Sequence, residues 1–357
     1  MEKKTHTTLF ITGAAGYVGA MLCDQFSRRD DVKTIIALDK EEKPELLANN
    51  GKIVWITANT SDDIWQKKVA GYHPSVVIHT AWQIREMYGK QDIEWKWNVE
   101  GSNKVFDFAF GTLSVTRLVY FSTASLYGAY SSNTVEHHFT EDEPMREDEY
   151  SYGIEKRQVE LDLRQKWEEH NRVSVTVVRP AAITGPRGRF MRIRFGIQSA
   201  LSGQLKGRGD FLYNVISLWV SFVPVTPWWV RQFVHEDDVT DIVATLAFET
   251  PKRQYDVFNL APPGEPVLGA HMAEAVGKKT LPVAPWMVRL AYFFVWHLTR
   301  GKIPVSRGIW RFYSYPVIMD GSKLTREYHY QYQHSSRDAF YHTKGRYETF
   351  VPKKDRR

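Results

Sequence analysis

Tyr152 and Lys156, four residues apart in the run Tyr150-Ser151-Tyr152-Gly153-Ile154-Glu155-Lys156, have the types and spacing for proton transfer at an oxygen. On a helix, residues four apart share a face, so the ammonium can lie beside the phenol. A free phenol titrates near about 10 and is a poor base at neutral pH, but a neighbouring cation favours the phenolate and lowers that value. Tuned in this way, Tyr152 becomes a usable acid and base for a carbinol or carbonyl oxygen. Thr123, in the hydroxyl-rich run Phe121-Ser122-Thr123-Ala124-Ser125-Leu126-Tyr127-Gly128, could donate a hydrogen bond to the same oxygen. Tyr127 and Tyr150 are rivals to Tyr152, but neither has a lysine four residues later. Ser122 and Ser125 are rivals to Thr123. An isolated Tyr–Lys pair is ordinary helix-surface decoration, so the reading depends on what surrounds it.

The surroundings begin with Thr7 to Leu22, TTLFITGAAGYVGAML, which reads as a strand, a glycine turn and the first turns of a helix. Leu9, Phe10 and Ile11 form a short apolar run of the kind buried on both faces of a parallel sheet. Gly13, Gly16 and Gly19 follow at three-residue spacing. They would permit a tight turn, close backbone approach to a pyrophosphate and close helix–strand contact, with helix-start amides facing the phosphates. A second apolar strand, KTIIAL, closes on Asp39 about 20 residues later, where an acid bonds the adenosine ribose hydroxyls. A carboxylate there repels a 2′-phosphate, so NAD is expected over NADP. Lys40 is the counter-argument, because an adjacent cation could tolerate that phosphate.

Apolar runs alternate with longer amphipathic segments through the first half, the pattern of an α/β chain with a doubly wound parallel sheet. Strands are expected at Leu9–Thr12, Thr34–Leu38, Ile53–Ile56, Val76–His79, Leu118–Ser122 and Val173–Val178, with helices over Ser61–Val69, Asp92–Phe110 and Tyr150–His170. The 357 residues leave room for two lobes, and 43% hydrophobic content can fill a core. The net charge of +6, from 47 basic and 41 acidic residues, lies partly at the ends, in Lys3, Lys4, Lys353, Lys354, Arg356 and Arg357. Solvated termini explain that excess, and no nucleic-acid partner is expected. Cys23 is the only cysteine, which excludes an internal disulfide and a cysteine-rich metal site. No metal is expected. The first residues, MEKKTHTTLF, contain no long apolar region, so a signal peptide is not expected and a cytoplasmic location is.

Together these residues resemble the extended short-chain dehydrogenase/reductases, the family of NAD-dependent epimerases and dehydratases. The glycine turn matches Gly13, Gly16 and Gly19, the acid after the second strand Asp39, and the H-x-A segment His79 to Ala81. The asparagine-valine-x-glycine matches Asn98 to Gly101, and the hydroxyl and Tyr-x-x-x-Lys match Thr123, Tyr152 and Lys156. Arg179-Pro180 through Gly185-Pro186, and Phe233-Val234-His235-Glu236-Asp237-Asp238-Val239, resemble two further family motifs, the second with Asp237 as a helix cap. The resemblance implies a Rossmann domain over 1–180, to which 231–260 return, and a smaller substrate lobe from 181–230 and 261–340; a basic tail over 341–357 would follow. Catalysis would fall to Thr123, Tyr152 and Lys156. The expected cofactor residues are Gly13, Gly16, Tyr17, Val18, Gly19, Asp39, Ala58, Asn59, Thr80, Ala81 and Asn98, with Tyr152 and Lys156; His79 to Trp82 is read as small residues that let backbone lie near the cofactor. The family's pairing of helices near 92–110 and 150–170 implies a homodimer.

Departures narrow the reaction. Ala124 and Ser125 stand where sugar-nucleotide dehydratases carry an acidic pair, which argues against dehydration. Ala181 and Ala182 stand where nucleotide-sugar epimerases usually show asparagine. Net interconversion of a carbonyl and a secondary alcohol on an apolar small molecule is therefore the first reading. Epimerisation of a nucleotide-sugar by transient oxidation with bound NAD is the alternative, and a non-catalytic cofactor-binding protein the third. Two apolar segments, Phe211 to Val230 and Pro285 to Leu298, bear on the substrate. Pro224 and Pro227 break the first, and the second is too short to span a bilayer. Lobe core, dimer contact, greasy substrate channel and interfacial membrane patch all remain open for them.

Overall fold

The computed structural model describes residues 6–188, 222–275 and 277–352. Seven strands make one parallel sheet: β1 (Thr7–Thr12), β2 (Val32–Asp39), β3 (Ile53–Thr57), β4 (Val76–His79), β5 (Arg117–Phe121), β6 (Ser174–Pro180) and β7 (Tyr255–Leu260). Their order is β3-β2-β1-β4-β5-β6-β7, so the winding reverses between β1 and β4, where Leu9 faces Ile35 on one side and Val76 on the other. A doubly wound sheet binds its ligand at such a point, outside the carboxyl ends of the strands.

Both faces of the sheet are covered, which is why its strands read as unbroken apolar runs. On one face, Leu9 and Ile11 meet Leu22 and Phe26 of α1 (Tyr17–Ser27) and Val243 and Leu246 of a late helix. On the other, Phe10 and Ile36 meet Phe106 of α2 (Gly101–Gly111) and Val159 and Leu163 of α3 (Ser151–Glu169). The late helix is α4 (Glu236–Phe248).

Three local expectations change. The segment read as a helix over Ser61–Val69 is helical only over Gln66–Ala70. The one read over Asp92–Phe110 is α-helical at Gln91–Trp95, π-helical at Lys96–Glu100 and α-helical again in α2. A Cβ on Gly101, where the π-turn ends, would sit 2.4 Å from Thr60 Oγ1, so the helix approaches that turn as only glycine allows. Asp237 is not the cap of α4. His235 is, its Nδ1 accepting from the Asp237 amide at 3.2 Å, because a residue inside the first turn cannot cap it.

The remaining described strands are short and lie outside the sheet: Phe222–Val225 pairs with Lys279–Pro282, Val230–Arg231 with Val267–Leu268, Phe233–His235 with Ala182–Thr184, and His138–Phe139 with Ile318–Met319. Most of the apolar stretch Phe211 to Val230 lies outside the described residues; within them Trp229 is buried and Trp228 exposed. The second apolar segment is α5 (Pro285–Leu298). Among the described residues no helix is long and apolar enough to cross a membrane. The residues read as a basic tail are docked through Val351. Tyr347 is fully buried, its hydroxyl 3.0 Å from Thr240 Oγ1 of α4 and 3.2 Å from Gln25 Oε1 of α1, and Arg346 forks onto Asp241 at 2.7 and 2.9 Å.

Candidate active site

A groove of about 340 Å³ runs across the carboxyl edge of the sheet at the point where the winding reverses. The glycine turn contributes Gly13, Gly16, Tyr17, Val18 and Gly19 to its wall, β2 contributes Asp39, the end of β3 Ala58 and Asn59, and the end of β4 Thr80 and Ala81. Asn98 comes from the π-turn, and Tyr152 and Lys156 from α3. Thr123 is not on the wall; it is buried, its hydroxyl accepting from the Ser125 amide at 3.1 Å and donating to Ser125 Oγ at 3.2 Å.

The glycines are required by contact. Gly13 has φ +70°, and a Cβ there would lie 2.6 Å from the Ala81 backbone; on Gly19 it would lie 2.1 Å from the Gly13 carbonyl oxygen. Asp39 fastens this turn to β2, with Oδ2 accepting from the Ala15 amide at 2.9 Å and Oδ1 from the Glu41 amide at 3.0 Å. Two residues not anticipated from sequence hold the other side. Arg187 donates to the carbonyls of Tyr17 at 2.7 Å and Gly16 at 3.2 Å, while Glu236 accepts from the Tyr17 hydroxyl and from the amides of Arg187 and Gly188 at 3.1 and 2.9 Å. The Tyr17 phenol thus braces the turn. The signal lay in the Gly-Pro turn and the His-x-Asp-Asp motif, both noted in the sequence without a link between them.

His79 carries the second support. Its Nδ1 hydrogen-bonds Thr12 Oγ1 at 2.6 Å and its Nε2 bonds Ser102 Oγ at 2.8 Å, and Ser102 donates to the Asn98 carbonyl. Burial first, then the charge of Lys156, pushes the imidazole down to about 3, so it is a neutral strut between β1, β4 and α2. The Asn98 side chain lines the groove but is committed: it accepts from the Gln83 amide at 2.7 Å and donates to Glu155 Oε2 at 2.7 Å. Its observed contacts position the loop after β4.

The proton-transfer pair differs from the arrangement expected. The Lys156 ammonium donates to the Phe121 carbonyl at 2.5 Å and stands 3.7 Å over the Trp82 ring. Burial drives its pKa well below the ordinary value, with Glu160 and Glu155 pulling the other way. Tyr152 is held above the ordinary phenol value by burial, partly offset by the Thr123 hydrogen bond. The ammonium is turned to the Phe121 carbonyl and does not act on the phenol, so the lowering expected from Lys156 is absent and burial raises Tyr152 instead. Trp82 also breaks the reading of His79 to Trp82 as small residues, for its ring lies edge-on to Tyr152 at 6.2 Å. Of the rivals, Tyr127 is tied to Asn259 at 2.8 Å and Arg179 at 2.8 Å, away from the groove. The α3 start that presents Tyr152 is set by buried Glu147, whose Oε1 accepts from the amides of Asp148, Glu149 and Tyr150.

The groove suits a dinucleotide. Its glycines leave backbone bare for phosphates, its acid stands at the end of β2, and the Ser122 hydroxyl on its wall is buried without a hydrogen-bond partner, a place for a ligand's polar group. A parallel, doubly wound sheet with a glycine turn and a Tyr-x-x-x-Lys helix defines a dinucleotide-dependent enzyme class. The chain belongs to the NAD-dependent epimerase/dehydratase family, which it matches over residues 9–261. Among solved structures it resembles the Bordetella bronchiseptica enzyme WbmG in complex with NAD and UDP, at 24% identity and TM-score 0.67 over 94% of this chain and 92% of that one. It also resembles MoeE5 in complex with UDP-glucuronic acid and NAD (17%, TM-score 0.67, 94% and 97%) and the UDP-glucose 4-epimerase of Thermotoga maritima with UDP-glucose (18%, TM-score 0.66, 93% and 96%). At these identities the likeness is one of fold.

Proposed function

We propose that this protein binds NAD and epimerises a nucleotide-linked sugar by transient oxidation of a secondary hydroxyl. The observation that carries the reading is the pair Tyr152 and Lys156, one helical turn apart on α3, on the wall of the groove that the glycine turn and Asp39 also line. NAD, held by the glycine turn of Gly13, Gly16 and Gly19 and by Asp39, would supply a reversible hydride acceptor. Thr123 and Tyr152 would hold the reacting oxygen, and Tyr152 would exchange its proton. In the return direction the neutral phenol is the acid. In the oxidising direction it must first lose its proton, and Lys156, one helical turn away, is the cation placed to favour that once it leaves the Phe121 carbonyl. Ala124 and Ser125, with no carboxylate beside Thr123, leave no acid to expel a hydroxyl, which supports epimerisation over dehydration.

This ordering reverses the one reached from sequence, because the solved structures of this fold named above hold UDP or a UDP-sugar, two of them together with NAD. The apolar pair Ala181 and Ala182 favours net oxidation of an apolar alcohol as the second reading. Incubation with UDP-hexoses deuterated at the carbon to be oxidised distinguishes the two. Epimerisation yields the epimer with its label retained and no accumulating NADH. Steady NADH production from apolar alcohols, with no turnover of any nucleotide-sugar, would overturn the proposal.

A further inference from the structure

We infer that α5 is a membrane-surface helix that seats this protein on an anionic lipid bilayer, independently of its substrate. Its inner face is small. Val288 and Trp296 are buried, and Tyr292, Val295 and Trp296 rest on Ile303, Val305 and Ile309. The outer face presents Trp286 (65% exposed), Met287, Leu290, Phe293, Phe294 and Leu298 (82% exposed). Two adjoining helical rows are thus apolar and open to solvent, and a helix interrupted on that side only by Arg289 and His297 has no water-facing polar surface to explain them. Leu281, on the strand just before the helix, extends the same exposed apolar character.

Charge selects the occupant. From residue 275 to residue 319 the chain contains no Asp or Glu, and it contains seven cations, Lys278, Lys279, Arg289, Arg300, Lys302, Arg307 and Arg311. Arg307 and Arg311 face Glu149 and Asp148 in the neighbouring loop; the others sit on α5 or within a few residues of its ends or of the preceding strand. An apolar helix face collared by cations without anions fits an anionic headgroup layer, which supplies both a hydrocarbon boundary and negative charge. A second copy of the same face would bring cation against cation, on a chain that already carries a net +6. Trp286 at one end and the phenylalanines in the middle are the side chains that settle at the boundary between headgroups and acyl chains. Fourteen residues make a rod of about 21 Å, short of the roughly 30 Å hydrocarbon core, so the helix lies in the surface.

Flotation of the full-length protein with phosphatidylcholine vesicles, with and without phosphatidylglycerol, tests this. Co-flotation is expected with the anionic vesicles at low salt, falling about tenfold at high salt and on omission of the anionic lipid. The variant Leu290→Glu/Phe294→Glu should lose binding by about tenfold or more while keeping NAD affinity, since both side chains point to solvent. Hydrogen exchange on the unmodified protein gives a check that needs no variant: amides of residues 285–298 should slow when anionic vesicles are added. The inference fails if the unmodified protein stays at the bottom of the gradient at low salt. It fails equally if the variant floats as well as the parent, or if the same substitutions dissolve a dimer that ignores vesicles.

Discussion

Tyr152 is a phenol that burial holds above its ordinary value, with Thr123 offsetting this only in part. Replacing it with phenylalanine removes the group proposed to exchange a proton at the reacting oxygen. Turnover of a confirmed substrate should fall by about 10²- to 10⁴-fold, while NAD binding by calorimetry is retained. Near-normal turnover would assign the chemistry elsewhere. Because the phenol lies above its ordinary value, the base form grows with rising pH, so the oxidising half-reaction should accelerate with pH through the alkaline range. The spacing of Tyr152 and Lys156 was legible in the sequence because it is local, four residues on one helix. Where the ammonium points was not, because its partners, the Phe121 carbonyl at the end of β5 and the Trp82 ring in the loop after β4, are brought in by the sheet from far along the chain.

Individual elements are joined by a few buried polar links, and the neutral His79 strut between β1, β4 and α2 is one whose strength depends on pH. Its folded pKa, about 3, is depressed from 6.5, so the unfolded chain binds more protons between those values. The strut's contribution is therefore full above pH 6.5 and drains away as pH falls toward 3, at a slope approaching 1.4 kcal/mol per pH unit, roughly one proton's worth. Glu94, raised by burial to about 7, acts in the opposite sense between 4.5 and 7. Denaturant unfolding below pH 4.5 isolates the histidine: the slope should flatten in His79→Phe, and an unchanged slope would remove His79 from the account. At this scale the six strands read from sequence all occur, because apolar runs are intrinsic to a doubly covered sheet. The seventh, β7, did not announce itself. Asp256 and Asn259 interrupt its apolar run, and they are tolerated because Lys323 and Tyr127 reach them from other parts of the chain. The capping of α4 by His235 was likewise hidden, since Asp is the commoner cap and only the backbone geometry decides.

Across the whole molecule, the last described residues matter out of proportion to their number. Tyr347 fills a site between α1 and α4, and Tyr347→Ala should destabilise the protein by about 3–5 kcal/mol, as truncations of buried aromatics do. Urea unfolding checks this, and an unmoved midpoint would show the contact to be incidental. Composition gave no hint of it, because the run around Tyr347 is basic and polar and its burial depends on a surface made more than a hundred residues earlier. The docking also sets an order of events during synthesis. The hydroxyl of Tyr347 reaches Gln25 across 322 positions, so a growing chain exposes the edge formed by α1 for nearly the whole of translation. At ribosomal speeds that wait is on the order of tens of seconds, during which a nascent-chain chaperone has access to the bare surface. A fusion partner appended at the C-terminus would therefore compete with the final act of folding, whereas one placed before Thr7 would not.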